Sequence, residues 1–161
     1  MKKTVIAILL ALLVLTGCGS SGEPTQTTAA PVSMDLKQVY ASVTALENMP
    51  EMLPLDPDMQ LNFCGIDSAD CAQAVVAICS DGLRADEIWL IEAVDASALE
   101  RLQELAQNRL TAKAEESITY SPEQYAVVQK AQVITVDNYL AVFVSPEVDA
   151  VAAVFRNAAG I

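Results

Sequence analysis

One cysteine in this chain stands in a setting that specifies its chemistry. Cys18 ends the run Leu15-Thr16-Gly17-Cys18, directly after Lys2, Lys3 and the unbroken apolar stretch Val5 to Leu15. A basic start, an apolar run of about eleven residues and a box of one large aliphatic and two small residues are the parts of a lipoprotein signal. The run is too short to span a bilayer, which needs about 20 apolar residues. The expected chemistry is cleavage before Cys18, with diacylglycerol on its sulfur and an acyl chain on its amine. Two or more chains anchor durably, at roughly 0.8 kcal/mol per buried methylene. The expected location is the extracytoplasmic side of a cell membrane.

Other residues suggest chemistry less sharply. Asp56-Pro57-Asp58 and Asp67 gather carboxylates that could contribute to a calcium or magnesium site, which needs several oxygen ligands. Their order lacks the Asp-x-Asp-x-Asp-Gly pattern of an EF-hand loop, and capping aspartates on an acidic loop explain them equally. Asp86 and Glu87 stand together at the entrance of an apolar run, as an acid–base pair or as turn residues ahead of a buried strand. Cys64, Cys71 and Cys79 are an odd number once Cys18 is assigned to lipid, so they cannot all pair within the chain. A Cys64–Cys71 disulfide is the candidate bridge, and Cys79 reads as a buried thiol.

Composition excludes several classes. The chain has no histidine, which removes Ser-His-Asp and Cys-His catalysis and histidine-ligated zinc. No nucleophile or cofactor motif is present, so the chain is not expected to be an enzyme or to hold a cofactor besides the lipid. Net charge is −12, and loss of Lys2 and Lys3 with the signal makes it −14. That balance argues against nucleic acid, whose binding rests on basic residues, and against a domain lying on anionic lipid.

These residues must be positioned by elements that the pattern defines. Residues 1–17 are the signal, and residues 18–34, rich in small polar residues, are the lipidated cysteine and a flexible tether. Residues 35–161 are one domain. Asp35 caps a helix to Asn48 with Leu36, Val39, Tyr40, Val43 and Leu46 on one stripe. Met49 to Phe63 reads as a loop broken by Pro50, Pro54 and Pro57. Ala74 to Cys79 and Asp86 to Val94 read as strands. Ala96 to Glu116 is the longest helix, with Ser97 and Glu100 as its capping box. Its stripe is Leu99, Leu102, Leu105, Ala106, Arg109 and Leu110. Ser121-Pro122 starts a short helix, Asp137-Asn138 joins two strands as a hairpin, and Ser145-Pro146 starts the last helix. The fold expected is α+β, a four-stranded antiparallel sheet in ββα-ββα order with helices packed on one face. Leu140 to Val144 is apolar on both faces. Such a strand is either covered on both sides or leaves an open apolar face that recruits a partner.

Asp35 to Tyr40, Asn48 to Met52, Gly65 to Asp67, Ala85 to Ile88 and Asn138-Tyr139 … Ser145-Pro146 carry a resemblance. With the lipobox before them, they resemble an uncharacterised lipoprotein family of Gram-positive anaerobes, domain-of-unknown-function family 4358. The resemblance implies no activity and no site residues, and the three later cysteines are outside its pattern. The function expected is a membrane-anchored accessory domain that binds an envelope protein or a small ligand. The alternative is a carboxylate-based, metal-dependent enzyme or binding factor around Asp56, Asp58 and Asp67.

Overall fold

Two strands without a polar face organise this chain. β3 (Glu87–Ala93) and β5 (Tyr139–Val144) are buried almost throughout, because helices cover the sheet on both sides. The computed structural model describes residues 32–161. The signal, Cys18 and the tether up to residue 31 lie outside the described residues. No helix among the described residues is long and apolar enough to cross a membrane.

The sheet is antiparallel with five strands in the order β1-β2-β3-β5-β4. β1 is Met52–Pro54, β2 Cys71–Cys79 and β4 Gln132–Val136. The helices are α1 (Leu36–Thr44), α2 (Pro57–Cys64), α3 (Ala96–Tyr120), α4 (Pro122–Val128) and α5 (Val148–Ala159), with a 3-10 turn at Ser68–Asp70. The α+β class and the antiparallel sheet therefore stand. The strand count and the one-faced cover do not. The segments β2-β3-α3 and β4-β5-α5 keep the expected ββα order, but α4 lies between them and β1 adds an edge strand beside β2.

Register explains why both faces need cover. Ile88 pairs with Phe143 and Leu90 with Ala141, on the face where α1 and α5 bring Val39, Val43, Val151 and Phe155. Trp89 pairs with Val142 and Ile91 with Leu140, on the opposite face, where α3 brings Ala98, Leu102 and Ala106 and α2 brings Cys64. Successive strand residues point to opposite faces, so a strand apolar at every position must be covered twice. No open apolar sheet face is left at β3 or β5.

Local chemistry sets the ends of the elements. Asp35 accepts from the Lys37 and Gln38 amides, as its position predicts. Pro57 begins a helix instead of breaking one: the first helical turn needs no proline N–H, and Asp56 caps it through the Met59 amide. α2 thus occupies part of the expected loop. Gly65 ends it at φ 74°, the left-handed conformation that glycine adopts without strain. α3 is capped by Asp95 through the Ala98 amide, one turn before its apolar stripe, and not by the Ser97–Glu100 box. Asp137, at φ 47°, makes the two-residue hairpin between β4 and β5.

Among the described residues, packing already includes Val32, ahead of the expected boundary at residue 35. Val32 donates its N–H to the Asp137 carboxylate at 3.0 Å, and Met34 donates to the Tyr139 hydroxyl at 3.2 Å. Met34 is buried in the core beside α1.

Candidate functional site

The expected metal residues have other duties. Asp56 caps α2, and Asp67 accepts from the Ala69 amide to cap the 3-10 turn. Asp58 lies in the first turn of α2, where a carboxylate complements the helix dipole. Among the described residues no group of three or more cysteine, aspartate or glutamate side chains converges as a metal site.

Cys64, Cys71 and Cys79 are free thiols, so the candidate Cys64–Cys71 bridge is not formed. Cys64 closes α2 with its side chain in the core, whereas Cys71 opens β2 with its Sγ 3.6 Å from the Asp67 carbonyl. Burial pushes the Cys64 thiol up to about 11, and the Glu87 charge adds to this against Arg109 and Lys113. Burial also pushes Cys71 to about 11, helped by Asp70 and Asp67. Thiols held protonated are poor nucleophiles. Iodoacetamide near pH 8 is therefore expected to modify neither in the folded protein and both after unfolding, without prior reduction. Peptide mass mapping checks this, and a requirement for reductant before both are labelled would establish the bridge.

The densest buried charge lies at the strand entrance that the sequence flagged. Asp86 and Glu87 are each 1% exposed, and each is held by cations. Asp86 ends the β2–β3 connection, and Glu87 opens β3. Arg84 reaches Asp86 through Nε at 3.0 Å and Nη2 at 3.2 Å. Glu87 points to the α3 face, where Arg109 donates through Nε and Nη2 and Lys113 Nζ lies 2.8 Å away. Trp89 donates its indole N–H to the same carboxylate at 2.7 Å. Arg109 and Lys113 are four apart on α3 and therefore share a face. Burial alone would push the Glu87 carboxyl up. The Arg109 hydrogen bonds and the Lys113 charge outweigh it and hold the group below the ordinary glutamate range. Glu87 is thus an ionised anchor and not a general acid, which needs a proton to give.

Arg84, Arg109 and Lys113 form part of the wall of a cavity of about 760 Å³ between the β2–β3 connection, α3 and α4. Cys79 and Ile78 lie at its base, and Ser117, Ser121 and Gln124 add polar groups. Gln124 accepts from the Ala85 amide at 2.8 Å, tying α4 to the β2–β3 connection. Phe63, Leu83 and Tyr120 also line it, although they are 56%, 86% and 83% exposed. Large apolar side chains so exposed are unusual on a protein surface when they gather around one concavity.

The sequence marked Asp86 and Glu87 but not the cavity. A signal was present in Arg109, a cation on the apolar stripe of α3. A cation placed there calls for a buried partner, which Glu87 supplies. Nothing in the pattern brought Arg84 or Tyr120 to the same place, because the β2–β3 connection and the end of α3 meet only in the tertiary structure.

A family profile described as domain of unknown function (DUF4358) matches residues 44–145, a span that contains every residue lining the cavity. No curated protein and no solved structure matches the chain.

Proposed function

The chain belongs to the DUF4358 family, and from that premise we propose that it is a lipid-anchored, extracytoplasmic binding protein whose ligand sits in the cavity beside Arg109. The observation that carries the binding reading is the cavity itself, where three cations and three exposed apolar side chains surround one concavity. Its volume lies within the roughly 300–1,000 Å³ of small-molecule sites. Binding is favoured over catalysis because the buried carboxylates are committed to cations.

The geometry suits display from a tether. Val32 is bonded to Asp137 in the β4–β5 turn, whereas the cavity lies beside the β2–β3 connection. Glu92 pairs with Tyr139 and Glu87 with Val144, so the two places are at opposite ends of β3. Five residue steps of strand separate them by about 17 Å. A domain held from its Val32 end keeps the cavity at its far pole.

Protein-observed NMR with a mixed set of neutral, anionic and cationic fragments tests the site. Shift changes are expected to concentrate at Cys79 to Glu87, Arg109 to Tyr120 and Gln124. Changes scattered over the surface, or none at all, would remove the binding reading. The address is tested separately. Metabolic labelling with an alkynyl fatty acid is expected to mark the membrane fraction, and Cys18→Ala to abolish the label and release the protein. A Cys18→Ala protein that remains labelled and membrane-bound would refute the anchor.

A further inference from the structure

We propose that the cavity takes a small amphipathic carboxylate, a single acidic head on an apolar or aromatic body. The inference deepens the binding reading and depends on it. Open donors on cationic side chains select the head. Arg84, Arg109 and Lys113 face the cavity, whereas the buried carboxylates of Asp86 and Glu87 bring only two negative charges to those three cations. Glu116, which also lines the cavity, supplies a third, so the wall is charge-balanced in a protein whose net charge is −12. Glu116 itself is exposed.

Hydrogen-bond geometry identifies those donors. Arg84 uses Nε and Nη2 on Asp86, and Arg109 uses the same two atoms on Glu87. Among the described residues, Nη1 of neither guanidinium makes a hydrogen bond, and Lys113 makes one ion pair with three donor hydrogens. These donors are oriented by buried carboxylates before any ligand arrives. An oxyanion accepts from such donors more strongly than a neutral oxygen does. The apolar body is matched by Leu83, Tyr120 and Phe63 at the mouth and Ile78 deeper in. A peptide chain would need backbone partners along a groove or sheet edge. A concavity of about 760 Å³ suits one compact molecule better.

The test is equilibrium dialysis of the full chain, held in neutral phosphatidylcholine nanodiscs, with empty discs subtracted. The probes are 4-phenylbutyrate, its amide 4-phenylbutyramide and the amine 4-phenylbutylamine, which share one body and differ in the head. The acid is expected to bind, the amide roughly tenfold more weakly and the amine not measurably. Lys113→Met and Arg84→Gln are expected to weaken the acid by roughly tenfold and leave the amide unchanged. Tyr120→Ser is expected to weaken acid and amide alike, and its exposed position leaves the fold intact. Equal binding of acid and amide, or tighter binding of the amine, would overturn the carboxylate assignment while leaving a ligand site in place. Binding of none of the three would also overturn it, and the NMR map with other fragments would then decide independently whether the cavity binds anything.

Discussion

Glu87→Gln is expected to lower the stability of the folded domain by about 3 kcal/mol, the lower end of what breaking a buried ion pair costs. Glu87 is 1% exposed and holds Arg109, Lys113 and the Trp89 indole at once. Glutamine retains the shape and an acceptor for Trp89, so the loss reports the charge. The effect stays at the lower end because Arg109 and Lys113, with side chains 26% and 12% exposed, can turn toward the cavity. The reverse change is expected to be worse. Arg109→Met with Lys113→Met leaves a buried carboxylate without a cation, at about 4–5 kcal/mol or with Glu87 protonated near neutrality. Adding Glu87→Met to that pair is expected to recover most of the loss, because an apolar trio needs no partners. Urea midpoints at constant slope measure each step. The pH dependence has a definite sign. The carboxyl of Glu87 is held lower in the folded state than in the unfolded chain. Its contribution is therefore complete above the unfolded value of about 4.3 and is lost as pH falls through the depressed folded value. The stability gap between the parent and Glu87→Gln should thus be wide at neutral pH and close as pH falls below the ordinary glutamate range. A gap that is constant with pH would refute the ion-pair role.

The same cluster marks what the sequence could disclose. β3, β5, α3 and the hairpin at Asp137 were legible because periodicity and turn chemistry are local. The burial of β5 on both faces was legible as one of two alternatives, since an all-apolar strand states that both faces are dry or sticky but not which. α2 was hidden because three prolines outweighed a short pattern, although Asp56-Pro57 is itself a helix start. β1 was hidden because three residues, Met52 to Pro54, carry no period. The cavity was hidden for a different reason. Arg84 belongs to the β2–β3 connection and Arg109 and Tyr120 to α3, and only the packing of α3 beside that connection assembles them. Arg109 on an apolar stripe was a local inconsistency, and such inconsistencies tend to fall at functional or strained sites. The acidic loop, by contrast, drew attention through composition alone, and Asp56 and Asp67 act there as caps.

Phe155→Ala is expected to cost about 3–5 kcal/mol, the usual range for emptying a buried aromatic site. The residue lies on α5 and is fully buried, with its ring edge-on to Phe143 at 6.1 Å and 66°. Phe143 is the β5 residue that faces α1 and α5, so this contact seals one side of the sheet. Phe155→Leu refills most of the volume and should cost under about 1.5 kcal/mol. The pair of variants separates lost volume from lost aromatic geometry, and chemical denaturation reads both. The result also decides between the two fates of an all-apolar strand. If α5 covers that face permanently, Phe155→Ala destabilises strongly and the α5 amides of the parent exchange slowly. If α5 is a loosely held flap over a face that receives a partner, Phe155→Ala costs little, under about 1 kcal/mol, and the α5 amides already exchange fast in the parent. The second outcome would move the interaction surface from the cavity beside Arg109 to the opposite side of the sheet. The burial of Val148, Val151, Ala152 and Phe155 along one face of α5 favours the first. With that face closed, the exposed Phe63, Leu83 and Tyr120 are left as the apolar approach to the cavity.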